Sequence, residues 1–281
     1  MESVKIVTDS ASEIPPERAE ELGITVVPMH IHIGSKVYRD GVDLSKADFY
    51  RLATRGQGMP YISAPTPEEF ADVYGRLSRD RESILSIHSS SRLSDAYRAA
   101  LRAANEFIGR NEIVVLDSRL ISCGLEILVT AAAEAAARGM PVDDLVRMLR
   151  GMIPHIYVVF FVENMSYLER GGWLQRTRTA LGMPGIRPLL ILEEGEIQPL
   201  ERVRSRGRAV DRLFEFVAEF VHLEQITILQ GRITEEANML AERINEIYPE
   251  KEVDIRTYGP VLATQLGPEA IGVIVYEGLL Q

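Results

Sequence analysis

The sequence predicts an α/β protein of two α/β domains, the first built on a mainly parallel sheet flanked by helices. Three observations predict it. Short β-branched runs alternate with helical patterns through the first half of the chain, the rhythm of successive strand–helix–strand units. Polar residues crowd the ends of several of these runs, and near Gly151 to His155 the pattern changes as a strongly β-forming stretch opens a second set of elements. The boundaries that follow are 1–155 for the first domain and 156–281 for the second.

Composition permits this and excludes other classes. A chain of 281 residues that is 46% hydrophobic can fill two cores. A formal charge of −10 argues against nucleic acid, whose phosphates require clustered positive charge. The lone Cys123 rules out an internal disulfide framework and a cysteine-based structural metal site. The amino end lacks a basic start followed by an apolar stretch, and no run reaches the roughly 18 apolar residues of a membrane span, so the expected location is cytoplasmic. One segment departs from the acidic balance: Arg170 to Arg208 holds eight arginines against four glutamates, a pattern that fits either solvated faces or a rim facing an anion or a partner.

Val4 to Ser10 reads as a strand whose polar end carries Asp9 and Ser10, and Pro15-Pro16 opens a helix that stops at Gly23. Ile24 to Ile33 reads as the next strand, with His30 and His32 on one face; without a third ligand nearby they are polar residues of a half-exposed strand rather than a metal pair. Tyr38 to Gly41 is a turn, Ser45 caps a helix to Ala53, and Gly56 to Pro60 is a connector. Ile62-Ser63-Ala64-Pro65 is extended and leads into a helix capped by Thr66, with Glu69 completing a capping box.

Ser83 to His88 is an apolar strand that runs into Ser89-Ser90-Ser91, where a helical pattern of Leu93, Tyr97, Ala100 and Leu101 begins, with Ser90, Ser91 and Ser94 as its capping candidates. Backbone N–H groups and hydroxyls converge at such a helix start, which suits an anion as well as simple capping. Glu112 to Leu116 is the next strand, ending in Asp117-Ser118, and Ser122 to Arg138 is an alanine-rich helix closed by Gly139. A further helix runs from Pro141 to Met152. Ser10, Ser94 and Ser118 thus each lie at or just after a strand's carboxyl end, where open α/β sheets bind their ligands.

In the second domain, Ile156 to Val162 is a strand and Tyr167 to Trp173 a short helix broken by Gly171 and Gly172. Ile186 to Leu192 and Gly195 to Leu200 form a hairpin, and helices at Gly207 to Val221 and Glu235 to Ile247 alternate with strands at Gln225 to Leu229 and Val253 to Arg256. Gly259 to Pro268 reads as a loop before a last strand, Ile271 to Tyr276.

Taken together, these segments resemble the DegV family of bacterial fatty-acid-binding proteins, which includes the acyl-carrying subunits of the bacterial fatty acid kinase. The resemblance rests on Val7-Thr8-Asp9-Ser10, Ser63-Ala64-Pro65-Thr66, Ser90 to Tyr97, and Leu116-Asp117-Ser118 with Ser122 and Gly124. It continues through Tyr167 to Gly172, Ile186-Arg187-Pro188, Val203-Arg204 and Gly259 to Gly267, and so spans the chain. It implies an apolar tunnel between two domains that takes an acyl chain, with the carboxylate held at a polar mouth. The family's head-group positions fall on Ile62, Ser94, Arg204 and Gln265, with Ser63 able to stand in for the hydroxyl that Ile62 lacks, and with Ser10, Ser90, Ser91 and Ser118 around them. Gln265 replaces a histidine and can donate a hydrogen bond but carries no charge. Trp173 replaces an arginine on what resembles a kinase-facing rim.

The resemblance therefore implies a lipid-binding protein rather than an enzyme, with a long-chain fatty acid as ligand, no metal or cofactor, and a separate kinase as partner. No nucleotide loop of the Gly-x-x-x-x-Gly-Lys-Ser/Thr kind is present. Two other readings stand beside it: a serine hydrolase using Ser94 with His88 and Asp9 or Asp117, and a regulatory protein that kept the fold but lost the ligand or the kinase.

Overall fold

β1 (Val4–Asp9) runs into a 3-10 turn (Ser10–Ser12), α1 (Pro16–Glu21) and β2 (Thr25–Val27), after which β3 (His30–Ile33) and β4 (Lys36–Arg39) form a hairpin before α2 (Lys46–Ala53). β5 (Tyr61–Ser63), α3 (Pro67–Leu77), β6 (Ser83–His88), α4 (Ala96–Ala104), β7 (Ile113–Asp117), α5 (Cys123–Ala137) and α6 (Val142–Met152) follow. These elements come from a computed structural model that describes residues 4–53, 59–78, 82–171, 173 and 187–278 and divides into two units, Met1–Pro154 and His155–Gln281. Gly56, Gly58, Gly172, Arg176, Arg178 and Ile186, which figure in the sequence reading, lie outside the described residues.

The first unit's main sheet has the order β2-β1-β6-β7 with every pair parallel. Val7, Ile84 and Val115 share one face and pack on Phe70, Val73 and Tyr74 of α3 and Ala100 and Ala103 of α4. Phe70 and Tyr74 are fully buried there, and removing one such ring from water contributes about 2–3 kcal/mol. The opposite face is covered by α5 and α6. Ten of the fifteen α5 residues are buried, which suits a helix whose sequence is apolar nearly all round.

The reading of Ile24 to Ile33 as one strand needs correction. Pro28 brings no N–H to a ladder and splits the run. β2 pairs parallel with β1, while β3 joins β4 and β5 in a separate antiparallel sheet of order β4-β3-β5. Tyr38 and Arg39 consequently belong to a strand rather than a turn. The capping box at α3 is present in full: Thr66 Oγ1 accepts from the Glu69 amide at 3.3 Å, and Glu69 Oε2 accepts from the Thr66 amide at 2.7 Å.

The second unit contains β8 (Ile156–Phe161), α7 (Met165–Gly171), β9 (Arg187–Glu193), β10 (Glu196–Val203), α8 (Arg206–Ala218), β11 (Gln225–Gln230), α9 (Glu235–Ile247), β12 (Val253–Thr257), α10 (Pro260–Leu266) and β13 (Ile271–Tyr276). Its sheet has the order β10-β9-β8-β13-β11-β12, antiparallel except for the β11–β12 pair. Leu213, Val217, Leu240 and Ile244 of α8 and α9 pack against Val159, Phe161, Ile228 and Val273 of the sheet. Gly272 sits opposite Phe160, where a Cβ would lie 2.3 Å from that ring and 2.5 Å from the Val159 carbonyl oxygen, so only glycine fits. The predicted loop from Gly259 to Pro268 is in fact largely α10, with Pro260 in its first turn and Gly267 as its cap at φ 79°.

Candidate functional site

In a parallel sheet the carboxyl ends of all strands lie on one edge, and here three loops meet on that edge. The loop after β6 is held from both sides by carboxylates ending its neighbours. Asp9 of β1 accepts the Ser89 amide at 2.9 Å and its hydroxyl at 3.2 Å, while Asp117 of β7 accepts the Ser91 amide at 3.1 Å and its hydroxyl at 2.5 Å. The Ser90 amide donates to the Leu120 carbonyl at 2.9 Å, and the Ser118 amide to the His88 carbonyl at 3.1 Å. Ser90, Ser91 and Ser118 are therefore brought together, and Ser94 closes the same loop by donating its backbone N–H to the Ser90 carbonyl at 3.0 Å.

Most backbone N–H groups of the serine loop are engaged within the fold. The amides of Ser89, Ser90, Ser91, Arg92, Leu93, Ser94 and Ala96 all have acceptors within the loop or its neighbours. α4 begins at Ala96, later than the sequence pattern suggests. Ser94 Oγ accepts from the Ala96 amide at 3.0 Å, which leaves its O–H proton to donate elsewhere. The Ser89 and Ser91 hydroxyls already donate to Asp9 and Asp117, so among these serines it is the Ser94 hydroxyl that has a proton to offer.

Ser10 and Ser63 have other commitments. The Ser10 hydroxyl donates to Asp40 Oδ2 at 2.8 Å and accepts from the Met29 amide at 3.0 Å, tying the end of β1 to the small sheet. Burial pushes the Asp40 carboxyl up to about 6, the nearby Glu13 charge adding to the effect. Ser63 Oγ lies 2.8 Å from His32 Nε2, and His32 stacks on Tyr61 with ring centroids 4.3 Å apart. His30 Nε2 lies 3.0 Å from Glu69 Oε1, so the two histidines have separate partners, and among the described residues no group of three side chains is placed to hold a metal. Ile62 is half-buried opposite Ile31.

In the second unit, Arg204 is exposed just after β10. Arg187, Arg206, Arg208 and Arg212 each pair with a carboxylate, whereas Arg204 has no such partner among the described residues. Gln265 is 2% exposed within the fully buried α10, and its Oε1 has no hydrogen-bond partner among the described residues. Trp173 is also buried.

Sequence reasoning missed two features. Glu13, Arg119 and Ser122, three of the four non-glycine residues with positive φ among those described, lie in the loops after β1 and β7; such strain concentrates where a loop must hold an exact shape. The second is a buried chain under the serine loop. Tyr74 OH donates to Ser86 Oγ at 2.8 Å, Ser86 Oγ lies 2.7 Å from His88 Nε2, and His88 Nδ1 lies 3.0 Å from Asp9 Oδ2. The sequence signal was available: Ser86 and His88 are two apart on one strand, hence on one face.

That chain settles the partner of His88. It serves Ser86 and Asp9 rather than Ser94, so the hydrolase constellation expected around Ser94 is not formed. Ser86, His88 and Asp9 have the connectivity of a catalytic triad, yet all three are fully buried in the sheet, Tyr74 already donates to Ser86 Oγ, and Phe70 stands edge-on to His88 at 4.9 Å. A carbonyl substrate has no room to reach the hydroxyl.

With fold and loop geometry established, comparison with known proteins places the chain. The family model described as "Uncharacterised protein, DegV family" matches residues 3–278. The chain belongs to the DegV family. It is 32% identical to a DegV domain-containing protein of Caldanaerobacter subterraneus, an alignment covering 99% of this chain and 100% of the relative. Among solved DegV structures it is similar to one from Thermus thermophilus described by its fatty acid binding, at 26% identity and TM-score 0.88, covering 98% of this chain and all of that one. It is likewise similar to the fatty-acid-binding DegV of Bacillus subtilis, at 25% identity and TM-score 0.90, covering 99% and 100%. Among the described residues no helix is long and apolar enough to cross a membrane.

Proposed function

We propose that this DegV protein binds a long-chain fatty acid without transforming it, burying the acyl chain and holding the carboxylate through Ser94 and Arg204, with Ser63 and Gln265 beside them. The observation that carries the reading is the end-to-end similarity to two DegV proteins described as fatty-acid-binding. Two local features support the residue assignment. Ser94 has an O–H proton to give, and Arg204 has a charge that no described carboxylate neutralises.

The energetics suit a lipid. Burying about fourteen methylenes at roughly 0.8 kcal/mol each offers about 11 kcal/mol before association costs. Micromolar affinity needs about 8 kcal/mol. The head-group residues then serve mainly to avoid leaving a carboxylate buried without donors, at a cost of several kcal/mol. Solvent extraction of the purified protein followed by mass spectrometry tests the reading, together with titration of saturated acids from ten to sixteen carbons. The expected result is a co-purifying acyl species and affinity rising about fourfold per methylene; a preparation without lipid that takes up no palmitate refutes it.

Presentation of the bound acid to a separate kinase is the further step of this proposal, with Arg170 to Arg208 as the anion- or partner-facing stretch. A second reading, acyl binding without kinase presentation, is favoured by the burial of Trp173, which leaves that ring little surface to offer a partner. Formation of acyl phosphate when the loaded protein meets a fatty acid kinase and ATP decides between them.

A further inference from the structure

Asp9 and His88 are spent on nothing in the proposed carboxylate site, yet they lie fully buried beneath its serine loop. The order of donors gives the chain a direction. Tyr74 donates to Ser86 Oγ, so the Ser86 proton points to His88 Nε2; Nε2 is then the acceptor, and the imidazole proton sits on Nδ1, facing Asp9 Oδ2. The same Oδ2 accepts the amide and hydroxyl of Ser89, while Oδ1 accepts the Ala11 amide at 3.1 Å. One carboxylate therefore fixes the first residue of the serine loop, and its own orientation is fixed from α3 through β6.

We infer that Asp9 and His88 are positioning residues for head-group recognition, holding the serine loop so that Ser94 presents its hydroxyl. This rests on the reading of Ser94 as a carboxylate donor. A simple core role differs from it in one respect: a core residue sets stability alone, whereas a positioning residue sets affinity beyond what stability accounts for.

Asp9→Asn separates the two. The amide keeps one acceptor, which the Ala11 N–H can use, but puts donor hydrogens where Oδ2 received the Ser89 amide. That amide loses its acceptor, and His88 must turn its bare Nδ1 toward the new donor, so its proton moves to Nε2. Long-range nitrogen–proton NMR of the histidine rings reads this directly. Wild type is expected to show His88 as the Nδ1–H tautomer and the variant as the Nε2–H tautomer. Palmitate affinity should fall on the order of tenfold, the factor expected when a buried donor loses its acceptor. Leu149→Ala, a fully buried position in α6 on the sheet face opposite to α3, serves as the stability control. It should melt at least as low as the Asn variant and yet bind palmitate within about twofold of wild type.

Equal affinity in wild type and Asp9→Asn overturns the inference, as does an affinity loss of the same size in Leu149→Ala. Ser89→Ala, which removes only the weaker hydroxyl contact, covers the case in which Asp9→Asn fails to fold, and is expected to weaken binding severalfold; unchanged binding there also counts against the inference. Wild type that binds no palmitate at all refutes the fatty-acid reading instead, and the NMR tautomer still tests the chain itself.

Discussion

Asp40→Asn should make the protein more stable at pH 8 and leave it unchanged at pH 4. The carboxyl of Asp40 is raised to about 6 from its ordinary 3.8, chiefly by burial, against the opposing help of the Ser10 hydrogen bond and Lys46. A group whose acid form is favoured by folding contributes nothing adverse below pH 4, where both states are protonated. Its penalty grows as pH climbs from 4 to 6 and is complete above 6, where the folded protein must hold the carboxylate. The gap of about two pH units between 6 and 3.8 corresponds to about 3 kcal/mol. Asp40 keeps partial contact with solvent, and the asparagine N–H group needs its own acceptor, so the net gain expected is about 1–2 kcal/mol. The asparagine oxygen still accepts from Ser10, so the tie at 2.8 Å persists.

In a unit of this size that gain raises the melting temperature by about 2–8 °C at pH 8. Because two units need not unfold together, amide exchange of peptides from β1 and β4, whose ends this tie joins, is the proper probe. Protection in those peptides should increase at pH 8 and converge with wild type by pH 4. A variant that is less protected at pH 8, or a difference that does not change with pH, refutes the assignment of Asp40 as a carboxylate strained by burial.

Arg204→Ala should leave the melting temperature within the scatter of surface substitutions, about 0.5 kcal/mol, while weakening palmitate binding about tenfold or more through loss of a charge-assisted contact; isothermal titration measures the second and calorimetry the first. Gly272→Ala should cost about 3 kcal/mol or more or abolish soluble expression, because the new Cβ meets the Phe160 ring and the Val159 carbonyl at under 3 Å; urea denaturation of whatever is recovered reads it. Thr66→Ala should cost about 1 kcal/mol by removing one arm of the capping box, and Glu69→Ala should cost more in the same melt, since Glu69 holds both the Thr66 amide and His30.

Where side chains repeat with a period, the sequence was readable. The alternation that built β1, β6 and β7 and the helices between them needs only local pattern, and the Thr66–Glu69 box is a contact between residues three apart. The small sheet escaped because Pro28 divides what hydropathy joins, and hydropathy carries no signal for the partner a strand will choose. α10 escaped for another reason. Gly259-Pro260 and Gly267-Pro268 look like loop punctuation, but proline in the first turn and glycine just past the last are also how a helix begins and ends. Six apolar or uncharged polar residues between them should have tipped the balance.

The candidate site divides along the same line. Ser90, Ser91 and Ser94 could be singled out because they follow shortly after a strand end. Asp9 meets Ser89 across 80 residues of sequence and His88 across 79, and no local pattern predicts that pairing; it follows only once β1 and β6 are placed side by side in parallel register. Given that register, the consequence is forced. Val7 opposes Ser86 and Thr8 opposes Ile87, so the next step along both strands brings Asp9 beside His88 on the face that carries Ser86. A buried histidine next to a buried carboxylate and a buried serine is costly unless every lone pair and proton is matched, and here Tyr74 supplies the donor that starts the chain. The polar cluster is thus the price of placing a hydroxyl-bearing loop on a parallel sheet's edge, and the residues that pay it lie one layer beneath those that would touch a ligand.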